Sequence, residues 1–166
     1  MAHLNTTKIN QFVPVGMIGK SAGTWTLGVS SNVVSEARTA AAASFELLVP
    51  VVLPGSEAYH QGAKVKAIRL YYQIGTAAAS DFATVAVHKM TLGSAVTGAA
   101  VTVSLDGNHD TAAKRKAIGV HEMTITITDG AWLKEDEGMY LQCVVSAAAT
   151  TVFTLFGAVL DYEMGL

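Results

Sequence analysis

KAIRLYYQI, residues Lys66–Ile74, alternates along its whole length. Ile68, Leu70, Tyr72 and Ile74 fall on one side of an extended chain, and Ala67, Arg69, Tyr71 and Gln73 fall on the other. A period of two is the signature of a half-buried β-strand, because successive side chains point to opposite faces. The neighbouring runs repeat the pattern. TVAVHKM places Val85 and Val87 together, VTVSL places Val101, Val103 and Leu105 together, and EMTITIT sets Met123, Ile125 and Ile127 against Thr124, Thr126 and Thr128. Their β-branched content agrees with strands.

Two later runs are apolar on both sides. MYLQCVVS sets Met139, Leu141, Cys143 and Val145 against Tyr140, Gln142 and Val144. In TVFTLFGAVLDY, strict alternation puts Val152, Phe156, Ala158 and Leu160 on one side and Phe153, Leu155 and Val159 on the other. Strands covered on both faces lie inside a large protein or at a subunit contact. FELLVPVVLP is similar, but Pro50 removes a ladder donor and argues for an edge or a bulge. Turn-forming clusters separate the runs at 54–62, 75–81, 93–98, 106–119, 128–132 and 134–138. About eight to ten short strands with regular turns favour an all-β antiparallel sandwich, jelly roll or barrel. Alanine clusters complicate one segment: SEARTAAAASFELL, 35–48, reads either as strand or as a helix capped by Ser35. Residues 1–23 lack alternation and read as an extended N-terminal arm, with the regular domain occupying 24–166. The apolar Phe12, Val13, Val15, Met17 and Ile18 in the arm imply that it lies on its own domain or on a neighbouring subunit.

The totals narrow the function classes. The chain has 166 residues, enough for one domain with a full core. Only 14% of residues are charged, against about 25% in an average domain. A surface poor in charge invites a subunit contact. A net charge of -2 leaves no electrostatic footprint for nucleic acid. The N-terminal residues lack a secretory pattern, and no apolar run reaches the length of a membrane span. The single cysteine, Cys143, sits in an apolar run and reads as a core residue.

Candidate chemistry concentrates in SLDGNHDTAAKRKAIGVHEM, 104–123. His109-Asp110 and His121-Glu122 invite a metal or acid–base reading. Asp106-Gly-Asn-His-Asp110 begins like a calcium loop, but Thr111 and Ala117 stand where glycine and a bidentate glutamate are needed. His60, His88, His109 and His121 show no short ligand spacing. The better reading is a polar crossover loop from Asp106 to Gly119, with His121 entering the next strand. Lys114-Arg115-Lys116 reads as a hydrated basic run or a contact for an acidic partner. No nucleophile elbow, phosphate-binding loop or dinucleotide fingerprint occurs. The expectation is no catalytic, cofactor or metal residue, and no enzyme. Trp25, Trp132, Tyr59, Tyr71 and Tyr72 could form a sugar-stacking platform, with Tyr59 and Trp132 the first suspects for ligand contact.

Taken in order, the arm, TWTLGV, FELLVPVVLP, the run from Ala63 to Leu92 and the run from Gly107 to Met164 resemble the small alanine- and threonine-rich jelly-roll proteins of tailed bacteriophage virions. The resemblance spans roughly residues 24–164 and rests on strand order and texture. It implies an all-β jelly-roll/β-sandwich and a virion structural protein assembled in the host cytoplasm. The leading role is head decoration (cement): a homotrimer that adheres to the major capsid protein or another virion protein. Phe12, Val13, Val15, Met17 and Ile18 are then the candidate oligomer or capsid contacts, with no nucleic acid or membrane partner. The alternative is a glycan- or receptor-binding module of a phage fibre. A metal-dependent enzyme built on His109, Asp110, His121 and Glu122 stands third.

Overall fold

A computed structural model describes residues 6–52, 63–93, 95–128, 132–134 and 136–165. In chain order the strands are β1 (Thr6–Val13), β2 (Gly19–Ser21), β3 (Trp25–Ser30), β4 (Val33–Arg38), β5 (Ser44–Val51), β6 (Ala63–Gly75), β7 (Asp81–Thr91), β8 (Thr97–Val101), β9 (Val103–Leu105), β10 (Gly119–Ile127), β11 (Trp132–Leu133), β12 (Glu137–Ser146) and β13 (Val152–Gly165). One short helix, α1 (Ala112–Arg115), lies between β9 and β10. No helix among the described residues is long and apolar enough to cross a membrane.

The strands form two antiparallel sheets. The first, sheet A, runs β3-β4-β13-β6-β10-β9, with β1 also on β13 and β11 also on β6. The second, sheet B, runs β2-β5-β12-β7-β8. Consecutive strands from β4 to β7 alternate between the sheets. The eight principal strands therefore read β4-β13-β6-β10 over β5-β12-β7-β8, the double Greek-key winding of a jelly roll. The chain is an all-β sandwich. It has more strands than the eight to ten expected, because short strands add edges that turn signals alone do not separate. Segment 35–48 is strand on both sides of its alanines, with Ser35 inside β4.

Alternation explains the core. Ile68, Leu70, Tyr72 and Ile74 of β6 are fully buried, and so are Leu141, Cys143 and Val145 of β12. Pro50 lies on a part of β5 that has β12 on one side only, since β2 reaches just Glu46–Leu48. Two bulges correct the strict alternation. In β13, Leu155 faces Tyr72 and Gly157 faces Tyr71, so Phe156 is an extra residue. Phe153 and Leu155 therefore join Ala158, Leu160, Tyr162 and Met164 in the core, and the strand has one buried face where alternation suggested two. In β6, Lys66 is extra between Val65 and Ala67, which brings both Val65 and Ile68 inward.

Of the two placements expected for the N-terminal segment, the structure shows the first: it lies on its own domain. β1 pairs along β13 from Thr6↔Gly165 to Val13↔Ala158, and β2 pairs with β5. Of the five apolar residues assigned to an outside contact, Val13, Val15 and Ile18 are buried in the chain's own core. Their free energy of transfer, roughly 1.5–3 kcal/mol each, holds the segment down. Phe12 and Met17 stay exposed.

β1 seats on β13 through a close approach at Gly157, whose φ is 134°. A Cβ there would stand 2.8 Å from the Val13 carbonyl oxygen and 2.9 Å from the Phe12 ring. Gly157→Ala is expected to cost about 1–3 kcal/mol, through strain and overpacking. Gly16→Ala, with no atom within 4 Å of the new Cβ, should stay within about 0.5 kcal/mol. Urea unfolding checks the energies. Hydrogen exchange should locate the loosening of the first variant at residues 6–13.

Candidate functional site

The crossover from β9 to β10 brings His109 and His121 together, but not with the carboxylates that neighbour them in sequence. Asp106 Oδ1 and Oδ2 lie 2.9 and 3.0 Å from His109 Nδ1. His109 Nε2 lies 3.2 Å from His121 Nδ1, and His121 Nε2 lies 3.0 Å from the Ala117 carbonyl. A carboxylate and a carbonyl only accept, so these contacts use three ring protons where two neutral imidazoles carry two. Burial pushes the His121 pKa down and disfavours the charge on that ring. Burial alone would raise Asp106, but hydrogen bonds from Thr124 N, His109 and Asn108 N hold its pKa below the ordinary carboxylate value. Asp110 instead pairs with Lys114 at 2.8 Å, and Glu122 points to the opposite face of β10.

The cleft over this cluster is open, about 600 Å³. Every ring nitrogen in it already has a protein partner. Among the described residues no group of three or more His, Cys, Asp and Glu is placed to hold a metal ion. The arrangement stitches a loop to a strand. Its anchor is Arg115, which was expected to be hydrated but is 5% exposed. Its Nε donates to the Phe82 carbonyl (2.8 Å), Nη1 to that of His109 (2.8 Å) and Nη2 to that of Ala83 (3.2 Å). Tyr72 donates in turn to the Arg115 carbonyl at 2.8 Å. Lys114 and Lys116 reach the carbonyls of Gly107 and Ser80. Thr111 caps α1 with its hydroxyl.

A different set of groups converges on the outer face of sheet A. Arg69 Nε and Nη2 donate to Asp161 Oδ2 and Oδ1 at 3.0 and 2.9 Å, a bidentate pair. Arg69 Nη1 donates to the Tyr71 hydroxyl at 3.2 Å, and that hydroxyl donates to Glu122 Oε1 at 3.0 Å. Asn10, with its amide turned to donate, reaches Asp161 Oδ1 at 2.9 Å. Register explains the meeting: Asn10 pairs with Asp161, Val159 and Thr124 flank Arg69, and Glu122 pairs with Tyr71. The hydrogen bond to Asp161 raises the Arg69 pKa, against the opposing effect of burial. Burial, then the bond to Glu122, raises that of Tyr71. A shallow depression of about 320 Å³ is lined by Lys8, Asn10, Lys66, Arg69, Asp161 and Glu163, among others. Further along β1, Phe12, 60% exposed, has its ring against Gly157.

The remaining candidates lie apart from this face. Trp132, 39% exposed, sits on β11, and its carbonyl accepts from Lys89. Tyr59 and His60 fall outside the described residues. His88 bonds to Gln142, and Gln142 to Glu46. Cys143 is fully buried, and burial pushes its thiol pKa up to about 12. Sequence reasoning placed Arg69 and Tyr71 on one side of β6 and named Tyr71 among five aromatics for sugar stacking, but did not single out Arg69; Tyr72, also named, is buried in the core. Asp161 and Asn10, in the same network as Arg69, come from strands far away in the chain.

Two substitutions test the crossover. Arg115→Met removes three hydrogen bonds, two of them buried, and should cost about 3 kcal/mol or more. Asp106→Ala should cost roughly 1–3 kcal/mol at pH 7. A depressed carboxylate pKa stabilises the fold above its unfolded value, about 3.9, and that contribution is lost as pH falls through the folded pKa. The gap between wild type and Asp106→Ala should therefore narrow in acid, measured by urea titration at both pH values.

No family model matches the chain, and no curated protein does. Among solved structures it is similar to one described as carbohydrate-binding modules of the β-sandwich superfamily with promiscuous specificity, at 12% identity and TM-score 0.41, covering 94% of this chain and 57% of that one. It is similar to TmCBM61 in complex with β-1,4-galactotriose, at 11% identity and TM-score 0.38, covering 92% and 86%. It is also similar to the carbohydrate esterase vb_24B_21 of the Shiga toxin-encoding bacteriophage phi24B, at 14% identity and TM-score 0.38, covering 92% of each chain. At these scores the likenesses carry no argument about function.

Proposed function

We propose that the chain is a saccharide-binding β-sandwich module whose binding surface is the outer face of sheet A. One observation carries the reading: an exposed aromatic ring, Phe12, whose strand partner Val159 separates it from Arg69, with Asn10 of the same strand joined to Asp161 in a fixed set of donors and acceptors. A sugar ring has an apolar C–H face and a rim of hydroxyls that both donate and accept. The ring of Phe12 suits the first. Arg69, Asp161, Tyr71, Glu122 and Asn10 supply both hydrogen-bonding roles around it. All these residues stand on strands, so their positions are rigid before a ligand arrives.

The depression of about 320 Å³ sits at the low end of ligand pockets, roughly 300–1,000 Å³. Combined with the virion resemblance, the natural ligand is a glycan of the host surface. The capsid-decoration reading rested on the resemblance in strand order and texture; of its five candidate contact residues, three are committed to the chain's own core.

A glycan array followed by calorimetry tests the proposal on the full chain. Phe12→Ala and Arg69→Ala should each weaken the best ligand at least tenfold, with unfolding midpoints nearly unchanged. Trp132→Ala should leave binding intact. A flat array, or a ligand lost only with Trp132, would sink the assignment of this face.

A further inference from the structure

The strongest apolar exposure among the described residues lies on the β3–β4 hairpin. Leu27 is 63% exposed, Val29 70%, Val34 51% and Val33 48%. The hairpin leaves the sandwich early. β4 pairs with β13 only from Glu36 to Arg38, so Val33–Ser35 have β3 as their sole strand neighbour among the described residues. β3 ends sheet A, and its outer edge is open there. A two-stranded ribbon in water is marginal by itself.

β3 also lacks the devices that protect edges. WTLGVS has no charge, proline or bulge. Other edges differ: β2 and β9 have three residues each, β11 two, β8 carries Gly and Ala through most of its length, and β1 carries Lys8. Leu27 and Val29 share a face, with Val34 opposite Val29. Gly28 lies between them with no atom within 4 Å of its missing side chain.

We infer that β3 is a self-association edge, which pairs antiparallel with β3 of a second copy about a two-fold axis at Gly28. A two-fold axis normal to the sheet keeps each face continuous, so paired residues must share a face. Centring on Gly28 meets that condition. Leu27 then stands opposite Val29 of the other copy, Thr26 opposite Ser30, and the glycines meet where no side chain intrudes. No like charges oppose each other anywhere along the strand, and this self-complementarity favours a second copy over a charged partner. The seam is six residues, about 20 Å at roughly 3.3 Å per residue, shorter than a standard interface requires. Dimerisation is therefore concentration-dependent.

Sedimentation and light scattering of the full chain over a wide concentration range test this. The expected result is a monomer–dimer equilibrium, with the heavier species near twice 17.3 kDa. Leu27→Lys combined with Val29→Lys should abolish the dimer while the melting temperature of the monomer holds. Gly28→Cys should form an intermolecular disulfide under mild oxidation, since cross-strand Cα separations fall within disulfide reach and Cys143 is buried. Val96→Cys, exposed elsewhere, should not. A chain that stays monomeric, a dimer insensitive to the lysines, or a different closed oligomer overturns the inference. None of these outcomes bears on glycan binding.

Discussion

The buried guanidinium of Arg115 is the contact on which the upper end of the sandwich depends. It holds two carbonyls of β7 in sheet B and one of the crossover, while Tyr72 of sheet A holds its own carbonyl. A charge taken out of water must find full hydrogen-bonding compensation, and a planar fork can serve three acceptors at once. Three carbonyls are met by a single side chain. Tyr72 then stacks on His121 at 4.7 Å and on Phe153 at 5.3 Å, which carries the order from the crossover into the aromatic core.

This anchoring explains why the histidines are a structural cluster. His109 is gripped by Arg115 through its backbone and by Asp106 through its ring, and it fixes His121 in β10. The polar chemistry that looks like a site in sequence is consumed in closing the fold. The opposite distribution holds on sheet A. Its outer face carries groups whose mutual bonds leave hydroxyls, amide and ring partly open to solvent, and the fold would stand without them. The two clusters thus divide the polar side chains between cohesion and display.

Much of the fold was legible in residues such as Ile68, Leu70 and Met123, because a period of two needs no tertiary information. The face assignment of β13 was not legible. Phe156 is an extra residue only relative to β6, and a bulge cannot be seen from one strand. Arg115 was misread for a similar reason. A basic residue in a loop is normally hydrated, and only the crossing of the loop over the ends of β7 turns it into a cap. Arg69 showed its orientation in sequence, while its meaning came from Asp161 and Asn10. The N-terminal residues lacked alternation because Pro14 and the turn at Val15–Met17 break the pattern, although Val13, Val15 and Ile18 are all core.

The pairing of β1 with β13 carries a consequence for how the chain reaches its native state. These strands come from opposite ends of the described sequence, and their ladder closes a loop that spans nearly all of it. Such contacts form late, since most of the intervening chain must be ordered before they repay their entropy. During synthesis β1 leaves the ribosome long before β13 and waits for it. Until then Val13 and the edge of β1 are open to any neighbouring nascent chain. On a crowded polysome, the interval before β13 emerges is the time of greatest exposure to strand exchange and aggregation.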